Sequence, residues 1–160
     1  MVTKLNLKEF WNDWDEYDND DRSIYDPDPV CTAETEIAVL IYVSENGDVY
    51  MEDVSDGMGS PHCEYNDVCY SIGSEFRKEY KDLLNEYKND YIKYGKPGLV
   101  FIEGYLYGDV YYSENSEEYY VENFEVKDDH YNIKTHSDYV KHGLQAFYGD
   151  SPEDWGTKVN

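Results

Sequence analysis

Residues 34–43, ETEIAVLIYV, followed by residues 44–54, SENGDVYMEDV, give the firmest structural signal in the chain. The first run is short, rich in β-branched residues and apolar at successive positions, which predicts a central strand rather than a half-exposed one. Asn46-Gly47 is a dipeptide that favours a type I′ turn, so a hairpin is expected, with the return strand running from Asp48 to Val54.

C-terminal to this hairpin, a glycine-rich loop, SDGMGSPHCEYND, leads to a helix. Ser74 serves as its N-cap, and Phe76, Tyr80, Leu83, Leu84, Tyr87 and Tyr91 form the buried stripe to about Tyr94. Gly95, Lys96 and Pro97 end it. Three strand candidates follow: GLVFIEGYLYG from Gly98, DVYYSE from Asp109, and EEYYVENFEV from Glu117 to Val126. A short helix from Ser137 to Phe147 presents Tyr139, Val140, Leu144 and Phe147 on one face, and residues 148–160 are expected to form a poorly ordered tail.

On the N-terminal side, Leu7, Phe10, Trp11, Trp14 and Tyr17 recur at helical spacing, with Asn6 as N-cap and Glu9, Asp13 and Glu16 opposite. Residues 18–33 then read as an exposed acidic loop, because acid density and two prolines oppose regular structure. The expected order is α-β-β-α-β-β-β-α in a single domain over residues 1–160. The fold class is α+β: an antiparallel β-sheet packed against a long central helix, with short N- and C-terminal helices.

Charge narrows the function more than any motif. The 160 residues carry 36 Asp plus Glu against 13 Lys plus Arg, a net charge of -23. About 2–8 units suffice to keep a small domain soluble, so the excess costs folding free energy through self-repulsion and points to a role for the charge itself. Acidic chains are often disordered. Here 19 Tyr and 3 Trp can supply a core, since each ring buries on the order of 150–250 Å². The acids are unevenly spread. Residues 9–28 hold nine against Arg22, residues 34–67 hold nine with no Lys or Arg, and residues 103–129 hold nine against Lys127. From Arg77 to Lys96, by contrast, six basic residues outnumber four acids.

Same-face positions on a strand, such as Glu118, Tyr120 and Glu122, repeat at about 6.6–6.8 Å per residue pair. Phosphates on one nucleic-acid strand rise about 3.4 Å along the axis while winding around it, so their direct separation is of comparable size. A groove built to displace counterions from DNA would gain the same terms from such a surface. The candidate partner-binding residues are Asp13, Asp15, Glu16, Asp18, Asp20, Asp21, Asp26 and Asp28 in the first acidic segment, and Glu114, Glu117, Glu118 and Glu122 further on. The first segment is the favoured contact.

Other chemistries lack a complete residue set. Counted from Asp18 as a calcium loop, the sixth and twelfth positions hold Ser23 and Pro29 instead of Gly and Glu. His62, Cys63 and Cys69 are metal-ligand types without a second matching pair, and His130, His136 and His142 fall at intervals of six, which is no ligand spacing. No nucleophile, phosphate-loop, zinc-protease or deaminase signature occurs, and no carboxylate pair stands out as general acid and base. No catalytic residue, metal or cofactor is therefore expected, and the chain reads as a non-enzyme. Cys31, Cys63 and Cys69 are odd in number and irregularly spaced, which predicts reduced thiols and a cytoplasmic location. No apolar run spans a bilayer, no signal-peptide pattern opens the chain, and anionic lipid would repel it.

In composition, the chain resembles the small acidic inhibitors of host defence encoded by bacteriophages and mobile elements, the anti-restriction and anti-CRISPR class, several of which mimic DNA. Eleven Lys against two Arg, with abundant Asn and Tyr, fit an AT-rich phage or Gram-positive genome. The resemblance implies tight, non-catalytic binding to the cationic DNA- or RNA-binding cleft of a defence nuclease in a bacterial cytoplasm, without direct nucleic-acid binding, as monomer or homodimer. Two alternatives remain open. One is an immunity protein that neutralises a cationic nuclease toxin. The other, of a different class, is a calcium- or metal-binding module or metal-dependent hydrolase.

Overall fold

The hairpin forms the middle of the molecule. A computed structural model of the chain describes residues 28–55, 60–144 and 156–160. Within them, β1 (Cys31–Val43) pairs antiparallel with β2 (Val49–Asp53), and Gly47 turns between them at φ 89°. That value lies in the left-handed region that glycine enters without steric cost. β1 starts three residues earlier than expected, so Cys31, Thr32 and Ala33 leave the supposed acidic loop and join the sheet. The reason is pairing: all three lie in register against β3 (Gly98–Ser113), at Val110, Asp109 and Gly108.

The sheet order is β4-β3-β1-β2-β5, with every pair antiparallel, and the class is α+β. Two of the expected strands are one: β3 continues through Gly108 and Asp109 for 16 residues. Gly108 makes room there and ends nothing. A Cβ at that position would come within 2.5 Å of Val121 Cγ1 and 3.1 Å of Phe76 Cζ. β4 (Glu118–Ile133) runs seven residues past its expected end, paired with β3 throughout. Thr157–Lys158, expected within the tail, instead form β5 against β2, anchored where the Asn160 side chain accepts from Val49 N and donates to Gly47 O.

Helix α1 (Asn66–Tyr94) crosses from β2 to β3 over one face of the sheet. It begins eight residues before the Ser74 cap expected from sequence. Val68 and Ile72 are both buried, and their packing carries the helix through Gly73, overriding the local capping signal. Phe76, Tyr80, Leu83 and Tyr87 share a core with Ile37, Val39, Ile41, Ile102 and Leu106, while Leu84 and Tyr91 are partly buried at its margin. Helix α2 (His136–Lys141), capped by Thr135 Oγ1 accepting from Asp138 N, covers part of the opposite face through Tyr139 and Leu144 on Ala38, Leu40 and Phe101. It is shorter than the helix expected over 137–147, ending where Gly143 takes φ 72°. Residues 145–155 and the N-terminal helix expected over 5–17 lie outside the described residues.

Polar contacts fasten α1 at both sides of the sheet. Tyr80 OH donates to Asp53 Oδ1 at 2.7 Å, with Ser55 Oγ on the same oxygen at 2.6 Å. Tyr87 OH donates to Asp128, and Glu75 Oε2 accepts from Val121 N at 2.8 Å, satisfying a donor on the edge strand. Burial pushes the Tyr80 and Tyr87 hydroxyls well above their ordinary range, and the carboxylates of Asp53 and Asp128 push them further. The folded state therefore holds these protons more tightly than the unfolded chain. Their stabilisation is complete below the ordinary tyrosine value of about 10 and is lost as pH rises beyond it towards the raised folded values. Thermal unfolding should accordingly soften above about pH 10, and tyrosinate absorbance from these two rings should appear only with unfolding. Their titration while near-ultraviolet dichroism stays native would refute the account.

Thr35 is fully buried, and its Oγ1 has no hydrogen-bond partner among the described residues. Thr35→Val keeps the shape and removes the unpaired hydroxyl, so it is expected to stabilise by about 1 kcal/mol or more in urea denaturation. A loss of stability would mean that the hydroxyl is paired.

Candidate functional site

Strand alternation turns odd-numbered β1 residues towards α1 and even-numbered ones to the second face. Helix α2 packs over the part of that face built on Ala38, Leu40, Phe101 and Ile133. Among the described residues the remainder can be mapped by register across β1, β3 and β4. Successive rows are Ala38, Glu103 and Asp129; Glu36, Tyr105 and Lys127; Glu34, Tyr107 and Glu125; Thr32, Asp109 and Glu122. Beyond β1 the rows continue as Tyr111 with Tyr120 and Ser113 with Glu118. Neighbouring strands are about 4.8 Å apart and same-face residues about 6.7 Å apart, so this is a two-dimensional grid of carboxylates and phenols.

A bulge sustains the grid. Between Tyr107 and Asp109, β4 uses one residue more than β3, and Asn123 takes φ 59° there. The additional residue reverses the alternation: even positions of β4 face outward before it, at Glu118 and Glu122, and odd positions after it, at Glu125 and Asp129. Asn123 Nδ2 also donates to Asp109 Oδ2 at 3.3 Å.

Electrostatically the surface is one-sided. Glu103 stands directly opposite Asp129, and Asp109 opposite Glu122. Like charges in such cross-strand positions destabilise a sheet by roughly 0.2–1 kcal/mol per pair. Lys127 is the one basic side chain in the rows, and its Nζ lies 5.3 Å from the centroid of the Tyr107 ring. Tyr105 and Tyr107 have centroids 6.1 Å apart, and Tyr111 stacks on Tyr120 at 5.6 Å. Tyr105 is 46% exposed, which leaves an aromatic surface between the carboxylates.

Of the residues expected in the contact, Glu118 and Glu122 lie on this face, flanking Tyr120. Glu114 and Glu117 are exposed in the turn joining β3 to β4, with Glu117 at φ 57°. Asp28 is exposed just before β1. Asp13, Asp15, Glu16, Asp18, Asp20, Asp21 and Asp26 lie outside the described residues. The structure adds Glu34, Glu36, Glu103, Asp109, Glu125 and Asp129 to the residues expected from sequence. The alternation of Glu103, Tyr105, Tyr107 and Asp109 was the available signal, obscured by the break assumed at Gly108.

Beside the grid, Glu34 and His62 exchange backbone hydrogen bonds at 3.0 and 2.7 Å, covering the edge of β1. Thr32, Glu34, His62, Cys63, Glu64 and Tyr107 enclose a recess of about 470 Å³ there. Burial and the neighbouring Cys63 push the Cys31 thiol up to about 12 and the Cys69 thiol up to about 11, which disfavours their thiolates near neutral pH. Among the described residues, no group of three or more His, Cys, Asp or Glu is placed to hold a metal ion, and no helix is long and apolar enough to cross a membrane. No family model and no curated protein matches the chain.

Proposed function

We propose that the acidic face of the sheet is a nucleic-acid mimic that occupies the cationic DNA- or RNA-binding cleft of a partner protein and keeps nucleic acid out of it. The observation that carries this reading is the set of rows in which Glu34, Glu36, Glu103, Asp109, Glu122, Glu125 and Asp129 share one face of the sheet, with Lys127 the one basic side chain in those rows among the described residues. The opposed pairs Glu103–Asp129 and Asp109–Glu122 repel in the free protein, and a cationic groove would relieve that cost on binding. Tyr105, exposed, and the half-buried Tyr107 between the acids can fill the apolar part of a groove where bases and sugars sit. The compositional resemblance makes the cleft of a bacterial defence nuclease, of anti-restriction or anti-CRISPR target type, the partner to test first. Binding is stoichiometric and involves no catalysis.

The experiment is capture of basic nucleic-acid-binding proteins on the immobilised protein, with a duplex oligonucleotide as competitor. The expected result is displacement by the oligonucleotide and steep loss of binding between about 50 and 200 mM salt. Binding that survives both excess duplex and that salt range would overturn the reading.

A further inference from the structure

We propose that the cavity between the last turns of α1 and the adjoining ends of β3 and β4 is a binding site for a small planar aromatic molecule bearing one anionic group. The cavity holds about 570 Å³, within the roughly 300–1,000 Å³ usual for small-molecule sites. Tyr87, Tyr91 and Tyr94, successive on one side of α1, form one wall, and Val100 and Ile133 contribute to the other. Flat rings of this kind match a flat ligand by stacking or edge contact.

The polar groups decide its charge. Asp128, which is not in the lining, is engaged by the Tyr87 hydroxyl and lies 3.6 Å from His130 Nε2, so its carboxylate is already partnered. At the rim stand Lys96 and Lys134, and Lys93 Nζ lies 4.8 Å from the centroid of the Tyr94 ring. Asp90 is the one acid in the lining. In a chain with 36 acids against 13 basic residues, this is a local inversion of sign. An anionic substituent would pair with Lys96 and Lys134 while its ring lies on the tyrosines. A cationic aromatic would meet Lys96 and Lys134, and a neutral one would leave them unused.

The rim is set by the backbone. A Cβ at Gly95 would lie 2.1 Å from Tyr91 O, and Gly98 takes φ 147°, so both ends of the segment carrying Lys96 and Pro97 demand glycine. The site is separate from the acidic face, and it stands or falls independently of the mimicry.

The test is fluorescence titration with 8-anilinonaphthalene-1-sulfonate, an aromatic anion that the overall charge of the protein would otherwise repel. N-phenyl-1-naphthylamine serves as the neutral probe and dansylcadaverine as the cationic one. Saturable one-to-one binding of the sulfonate is expected, tighter than either control. Affinity should fall by about fivefold or more in Lys96→Gln/Lys134→Gln, whose melting temperature stays unchanged, and remain as in the parent in Lys127→Gln. Absence of sulfonate binding, equal affinity for the neutral probe, or an unaltered affinity in the double lysine variant would overturn the site.

Discussion

Phe76→Ala is expected to lower the free energy of unfolding by about 3–5 kcal/mol, a large part of the roughly 5–15 kcal/mol that holds a domain together. Phe76 is fully buried, packs edge-on to Phe124 with centroids 5.1 Å apart, and fills the space left by Gly108 on β3. Few neighbours can collapse into the void, because Gly108 has no side chain to move and Val121 is held in register with Val110. The charge adds to the effect: self-repulsion already lowers the margin of a chain at -23, so the variant should also show a strongly salt-dependent melting temperature. Urea denaturation measures the change, and a loss below about 1 kcal/mol would show that α1 does not depend on this contact.

The second large effect is kinetic. Changing Glu103, Glu122 and Glu125 together to Lys alters the net charge by two units each, from -23 to -17, and does so on one face. Association with a cationic partner should slow by about tenfold or more at low salt, because steering depends on the local field. Stability should stay level or rise, since Glu103→Lys then faces Asp129, and Glu122→Lys faces Asp109, with opposite charge. Stopped-flow or surface-plasmon kinetics with a captured partner reads the rate. An unaltered rate would remove this face from the contact. The matched reversal of Asp18, Asp20 and Asp21 then reads whether the first acidic segment supplies the field.

The fold was legible where local chemistry is decisive. The apolar run ending at Val43 and the Asn46-Gly47 turn specify a central strand and its hairpin without outside help, and the structure has both. The stripe from Phe76 to Tyr91 has helical spacing, and its residues are buried or partly buried against the sheet. Legibility failed at glycine and at serine. Gly108 has the composition of a break and the function of a packing gap, while Ser74 has the chemistry of a cap and lies within a helix that Val68 and Ile72 begin. In each case a contact with a residue distant in sequence outweighed the local preference.

Composition alone establishes the charge, the aromatic reserve for a core and the three acid-rich segments, because these follow from residue identity and not from arrangement. Which carboxylates become neighbours is a property of long-range pairing. Glu103 meets Asp129, and Asp109 meets Glu122, only through the β3–β4 register, and one additional residue at Asn123 keeps Glu122 and Glu118 on the same side as Glu125. Helix α2 packs on Ala38, Leu40, Phe101 and Ile133 at one end of that face, and the acidic rows lie beyond them. Side-chain direction in a sheet reverses with each residue, so a single insertion or a strand joined across a glycine redistributes every charge beyond it, and only the folded pairing fixes that outcome.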